Sequence, residues 1–422
     1  MNVKITPSTC HGSITIPPSK SMAHRAIICA SLAKQKSIIR NVQYSDDIKT
    51  TIAAMQSFGA KITCFNDSIE ITGNPTLHTN TDALYVFCKE SGSTLRFLIP
   101  LFSLLNKQVI FRGENRLLKR PQQIYNDMFQ KQNLYFFQDE ERIELHQSLK
   151  AGTYNIQGDV SSQFISGLLF ALPLLEKDST IHIQPPFSSK SYVNLTIQML
   201  KRFSVHVHFI NDTSIFIKGK QRYLANNYQV EADYSQAAFY GVLASINHPL
   251  TIKGLSTKSL QGDREIFSIL KKFHVPIHYE NQQIIVEKTE LHPATIDLQD
   301  CPDLGPILTI LMMFTKGKSK IINALRLRYK ESDRISAMET ELQKCKVDIS
   351  SSEGSIVIHG AKTYQANTSL YGHKDHRIVM SLCIAATMLQ TPTIIKGAEA
   401  IQKSYPDFFK DLKSIGIQID IL

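Results

Sequence analysis

Two textures of apolar and polar positions alternate along this chain, and the pair recurs six times. The first is a polar cluster leading into a run of small and apolar residues. It occurs near Ser21 (SKSMAHRAIICASLA), Ser93 (SGSTLRFLIPLFSLL), Ser162 (SSQFISGLLFALPLL), Ser235 (DYSQAAFYGVLASI), Asp303 (CPDLGPILTILMMF) and His376 (KDHRIVMSLCIAAT), about 70 residues apart. Apolar residues on every side predict a buried helix whose polar start is exposed. The second texture is amphipathic, with apolar residues at i, i+3, i+4 and i+7, as in Ile266, Ile269, Leu270 and Phe273. Five of these segments close alike: MQSFGAKI (55–62), LKRFSVHV (200–207), LKKFHVPI (270–277), LQKCKVDI (342–349) and LKSIGIQI (412–419). The sixth, around PQQIYNDMF (121–129), is the most diverged. They lead into alternating or β-branched stretches such as IEIT, SIFIKG, QIIVEK and SIVIHG, which predict strands.

The predicted unit is strand, helix, strand, helix and two strands. Such a unit is too long for a solenoid repeat and large enough to combine into compact domains. The texture breaks at IPPSK (16–20) and at YQVEADYS (228–235), where the fourth unit begins. Six units with a break before the fourth predict an α/β protein of two similar domains. Each polar helix start offers free N–H groups and the positive end of a helix dipole, which attract anions.

Composition narrows the ligand. Lys and Arg number 47 against 37 Asp and Glu, a formal charge of +10, which favours acidic partners. The basic residues are scattered, without an RNP or zinc-finger pattern, so small phosphates and carboxylates are expected rather than nucleic acid. An apolar share of 43% supports a full core in 422 residues. Seven cysteines, odd in number and without a CxxC pair, fit reduced thiols and a cytoplasmic location. No signal-peptide core is present, and no apolar run reaches the roughly 18 residues of a membrane span.

Candidate chemistry clusters at the helix starts. In PPSKSMAHR (17–25), Ser19 or Ser21 can cap a helix, and Lys20 and Arg25 flank its start. In YKESDRISAMETEL (329–342), Lys330 and Arg334 are spaced i, i+4. On one helical face they repel unless an anion lies between them. In the same segment Ser332 is a candidate cap. In GHKDHR (372–377), Arg377 can reach a ligand, while His373, Asp375 and His376 lack metal-site spacing. Ser161, Ser162 and Gln163 open the third buried helix, and Asp303 precedes a wholly apolar one as either a cap or a buried base. Arg120 and Lys403 stand near the starts of amphipathic helices. No P-loop, GxGxxG, GxSxG or Ser–His–Asp order occurs.

Taken together, PSKSxxxR, SGxxxR, RP, SSQ, SKSY, EADYS, PD, KESDR, DHR and KSYPDFF resemble the 5-enolpyruvylshikimate-3-phosphate synthase family over essentially the whole chain. The resemblance implies transfer of the enolpyruvyl group of phosphoenolpyruvate to the 5-hydroxyl of shikimate 3-phosphate, with release of phosphate. This is a shikimate-pathway step toward chorismate and the aromatic amino acids. It implies a monomer with no metal or organic cofactor, no nucleic-acid partner and no membrane partner. It implies two domains of three βαβαββ repeats, an inside-out α/β barrel with the active site in the interdomain cleft. One domain would comprise 1–17 and 232–422, the other 18–231, with crossovers near 17–20 and 230–233.

By the same resemblance, shikimate 3-phosphate is held by Lys20, Ser21, Arg25, Ser161, Ser162, Ser189, Tyr192, Asp303 and Lys330. Phosphoenolpyruvate is held by Lys20, Gly92, Arg120, Gln163, Arg334, Arg377 and Lys403. Asp303 would take the 5-hydroxyl proton, and Glu331 with Lys20 would protonate the methylene carbon. Two departures stand out. Glu90 replaces the family's usual Asn, and Arg326 stands where many relatives carry Asn. Retention of Gly92 implies that glyphosate competes with phosphoenolpyruvate. The sister family acting on UDP-N-acetylglucosamine usually has an early KN pair and a cysteine before its RP motif. Here the pair is KS, and FRGENRLLKRP (111–121) has no cysteine. An RNA-binding or RNA-end-processing protein on the same repeat would need a basic stripe. A catalytically dead relative would not retain Lys20, Asp303 and Glu331.

Overall fold

The structure is a computed structural model, described here for residues 1–79, 81–281, 283–365 and 369–422. All twelve helices of the two textures are present. The buried set is Lys20–Ser31, Gly92–Ser103, Ser162–Ala171, Tyr234–Ile246, Gly305–Met313 and His376–Ala386. The amphipathic set is Asp46–Ser57, Gln123–Lys131, Lys190–Arg202, Glu265–Lys272, Arg334–Lys344 and Phe408–Ser414. Every residue of Tyr234–Ile246 and of Gly305–Met313 is buried, as all-round apolar helices require. Glu265–Lys272 buries only Ile266, Phe267, Ile269 and Leu270, a single face.

The strands form six four-stranded sheets with one recurring order. Thr153–Gln157 runs parallel to Ser179–Gln184, which pairs antiparallel with Ser214–Ile217, and Val207–Asn211 completes the edge. The parallel pair brackets a buried helix, and the amphipathic helix leads to the antiparallel hairpin, so each unit is βαβαββ. Side chains alternate across the sheet, as in Lys36–Arg40, where Ser37 and Ile39 are buried between more exposed neighbours. Among the described residues the strands bond only within these six sheets, and none closes on itself as a barrel.

The chain divides into two compact units, Met1–Pro17 with Glu231–Leu422 and Pro18–Val230. Each has its own apolar core. The N-terminal segment serves two sheets of the first unit. Asn2–Thr6 lies between Thr393–Lys396 and Gln418–Ile421, and Ser13–Thr15 pairs parallel with Leu250–Lys253. In the second unit, Tyr228–Gln229 supplies the parallel partner of Lys36–Arg40. The seven cysteines are free thiols. Among the described residues no helix is long and apolar enough to cross a membrane.

Candidate active site

In the unit Pro18–Val230, polar side chains gather at helix starts. Lys20 is the first residue of its helix, and its Nζ lies 2.6 Å from Asp47 Oδ2. Ser19 holds the N-cap position without a capping bond from its hydroxyl. Arg25, one turn further on, is 2% exposed. Its guanidinium donates to Ser21 O (2.8 Å), Thr196 Oγ1 (2.9 Å) and Tyr192 O (3.1 Å), and it lies over the Phe97 ring. Burial lowers its pKa to about 10, which leaves it charged at neutral pH. These bonds use three of five guanidinium N–H groups and tie Ser21 and Tyr192 into one cluster.

The Ser162–Ala171 helix stands against this cluster and a second one. Ser166 Oγ is 2.8 Å from Thr196 Oγ1, next to Arg25. At its start, Ser161 Oγ accepts from Gln163 N, so Ser161 is the cap, while Ser162 is buried without being needed for capping. Gln163 Oε1 accepts from Arg96 Nη1 at 3.0 Å, and its Nε2 donates to Ser93 Oγ at 3.0 Å. Arg96 also donates to Pro121 O, fixing the segment that carries Arg120. A Cβ on Gly92 would stand 2.8 Å from Arg120 Nη1 and 3.8 Å from Gln163 Oε1. Gly92, Arg120 and Gln163 therefore meet. The helices can approach because a Cβ on Gly167 would fall 2.4 Å from Arg96 O. Ser189 adopts a left-handed conformation (φ 56°) as it enters the Lys190–Arg202 helix.

In the other unit, six expected residues form one ion-pair network. Asp303 Oδ1 receives Lys330 Nζ at 3.1 Å and Arg334 Nη1 at 3.0 Å, and its Oδ2 lies 3.4 Å from Arg377 Nη2. Arg334 also pairs with Glu331 at 2.7 Å and with Asp375 at 2.8 Å. Lys403 Nζ lies 3.5 Å from Glu331 Oε1. Arg334 is 1% exposed and Asp375 wholly buried. Burial opposes the Asp303 carboxylate, but Arg377, Lys330 and Arg334 outweigh it and hold its pKa well below the usual range. Burial likewise lowers Lys330, against the pull of Asp303. Burial is overcome at Arg334, where Asp375, Glu331 and Asp303 raise the pKa.

Two local expectations are corrected. The helix starts at Arg334 with Asp333 as its cap, and Ser332 instead donates to Asp375 Oδ2 at 3.0 Å. Lys330 precedes the helix in extended conformation, so it shares no helical face with Arg334. The anion between the two cations is the protein's own Asp303. Two supports escaped the sequence reading. Asp47 carried no sequence expectation, and Arg96 was only the last letter of SGxxxR. Glu90 accepts from Asn115 Nδ2 at 2.7 Å, and Arg326 donates to Gln299 O at 3.3 Å. His373 lies 2.8 Å from Glu341.

The model of the EPSP synthase (3-phosphoshikimate 1-carboxyvinyltransferase) family matches residues 5–412. The chain belongs to the EPSP synthase family. Members named 3-phosphoshikimate 1-carboxyvinyltransferase from Clostridium kluyveri and Clostridioides difficile are 43% and 42% identical, over 420 and 429 residues. Both alignments cover 99% of this chain and 98% of the relative. The fold matches that of EPSP synthase from Acinetobacter baumannii with a TM-score of 0.82 at 24% identity, covering 99% of both chains. It also matches the enolpyruvyl transferase NikO from Streptomyces tendae, again at 0.82, with 14% identity over 99% of this chain and 98% of that one. At those identities the structures speak for the fold alone.

Proposed function

We propose that this EPSP synthase family member transfers the enolpyruvyl group of phosphoenolpyruvate to the 5-hydroxyl of shikimate 3-phosphate, releasing inorganic phosphate. The observation that carries the reading is the Asp303 carboxylate held among Lys330, Arg334 and Arg377. It puts a proton acceptor beside cations suited to a substrate carboxylate.

In this reading Arg334 and Arg377 take the carboxylate of phosphoenolpyruvate. Arg120, Gln163, Lys403 and the Gly92 backbone take its phosphate. Lys20, Ser21, Arg25, Ser161, Ser162, Ser189, Tyr192 and Lys330 hold shikimate 3-phosphate.

Asp303 accepts the 5-hydroxyl proton as the oxygen attacks C2 of phosphoenolpyruvate, and Glu331 with Lys20 delivers a proton to C3. The tetrahedral adduct then loses a C3 proton and phosphate. Each guanidinium drawn onto a substrate carboxylate loosens its hold on Asp303 and raises that group's proton affinity. The reading makes the protein a cytoplasmic monomer with no cofactor. Phosphate release from the two substrates together tests it; an intact, folded protein that releases none with both present would sink it.

A further inference from the structure

Behind the ion-pair network lies a carboxylate that the reaction does not use. Glu341, on the Arg334–Lys344 helix, is 1% exposed. It accepts from Lys344 Nζ at 2.8 Å, from Tyr371 N at 2.9 Å, and lies 2.8 Å from His373 Nε2. Burial raises its pKa, but these bonds, that of His373 foremost, bring it below the usual carboxylate value. A buried charge persists only where its partners compensate for lost hydration. Of the three partner residues, Tyr371 ends the Leu370–Tyr371 strand and His373 lies in the turn that leads from it to the His376–Ala386 helix.

That turn is unfavourable by itself. His373 and Lys374, neither a glycine, are both left-handed, with φ 50° and 54°. Such a pair persists where the surroundings over-determine it. Gly372 is fixed by its N–H to Lys396 O at 2.9 Å and by packing that leaves a Cβ only 2.2 Å from Val379. The next residue after the strained pair is Asp375, which grips Arg334 and caps the helix of Arg377. Arg334 and Glu341 are seven residues apart and so lie on one helical face. The helix therefore clips the 371–375 segment at two points, once at each residue.

We infer that Glu341 is a positioning residue for phosphoenolpyruvate binding, fixing the Tyr371–Lys374 turn so that Asp375 and Arg377 are held in register with Arg334. Without the Glu341 clip, the left-handed His373–Lys374 pair between Gly372 and Asp375 is free to relax, which shifts Asp375 and carries Arg377 away from Arg334. This rests on the substrate assignment above, so wild-type turnover is measured first, and its absence counts against that assignment instead.

Three variants are compared by steady-state kinetics and by amide hydrogen exchange over 370–377. Glu341→Gln should raise KM for phosphoenolpyruvate about tenfold, a scale set by sub-ångström misplacement of binding groups. Affinity for shikimate 3-phosphate should stay within about twofold, and exchange at Tyr371 should quicken. His373→Ala removes a partner on the turn from a side chain 27% exposed, so it tests the idea even if Glu341→Gln does not fold. It should show the same pattern, smaller. Lys344→Ala removes a Glu341 partner on the helix itself and should leave KM and exchange unchanged. Unaltered KM and exchange in the first two variants would overturn the inference, as would equal effects of His373→Ala and Lys344→Ala.

Discussion

Replacing Asp375 by Asn removes one negative charge from the most buried part of the network while keeping shape. The side chain has no exposed surface and receives Ser332 Oγ, Arg334 Nε and Nη2, and Arg377 N. Asn caps a helix as well as Asp, so the bond to Arg377 N survives. What is lost is one of three carboxylates around a guanidinium that is 1% exposed. Removing one partner of a buried pair costs about 3–5 kcal/mol. Arg334 keeps Glu331 at 2.7 Å and Asp303 at 3.0 Å, which places the cost near the low end, about 3 kcal/mol. For a unit of roughly 200 residues that is a fall in Tm of about 6–12 °C. Calorimetry of the variant reads it directly. Glu290→Gln is the control: the Glu290–Lys362 pair is as short, 2.9 Å, but both side chains are 67% exposed, and Tm should not move measurably. A fall below about 2 °C in Asp375→Asn would show that Glu331 and Asp303 suffice for Arg334 and that burial of the third charge is not what holds this corner.

Other outcomes follow from the same geometry. Asp303→Ala should cut turnover about 10²–10⁴-fold in the phosphate-release assay while shikimate 3-phosphate binding, measured by calorimetry, changes only a few-fold; surviving turnover would make Asp303 a structural anion only. Gly92→Ala puts a methyl 2.8 Å from Arg120 Nη1, so the guanidinium must shift, and KM for phosphoenolpyruvate should rise with the fold intact. His24 is buried beside Thr51, and burial lowers its pKa from 6.5 to about 3. Between those values the unfolded chain binds a proton that the folded one refuses. The stability gained from a neutral His24 is complete above pH 6.5 and is lost as pH falls toward 3. The urea midpoint should therefore fall less steeply with acidification in His24→Gln than in the wild type; equal slopes would contradict the assignment.

The helices were legible because each carries its own signature. Apolar residues all round marked Tyr234–Ile246 and Gly305–Met313 as buried, and one apolar face marked Glu265–Lys272 as lying against a core. Motif letters with unusual chemistry, such as those of KESDR and DHR, were legible as a set. Contacts across long separations were not. Nothing near Lys20 announces Asp47, 27 residues on, and nothing near Gln163 announces Arg96, 67 residues back. The Lys330–Arg334 spacing suggested a shared helical face because a helix start is fixed by whichever side chain captures the free N–H groups. Asp333 does so here, leaving Ser332 for Asp375 and Lys330 for Asp303. Similarly, the sheet partners of Lys36–Arg40 and Leu250–Lys253 come from distant chain segments that no local pattern predicts.

The central strand Asn2–Thr6 also bears on how the molecule is made. It leaves the ribosome long before either of its neighbours, Thr393–Lys396 and Gln418–Ile421, has been made. At typical translation speeds the gap of about 400 residues is a delay of roughly 20–80 s. The unit Pro18–Val230 is one uninterrupted stretch, and it can fold while synthesis continues. Asn2–Thr6 must meanwhile stay unpaired, with Val3 and Ile5 exposed until Thr393–Lys396 and Gln418–Ile421 arrive. Alternating charge and apolarity in NVKIT, a short strand carrying Lys4, keeps that waiting segment a poor template for other chains.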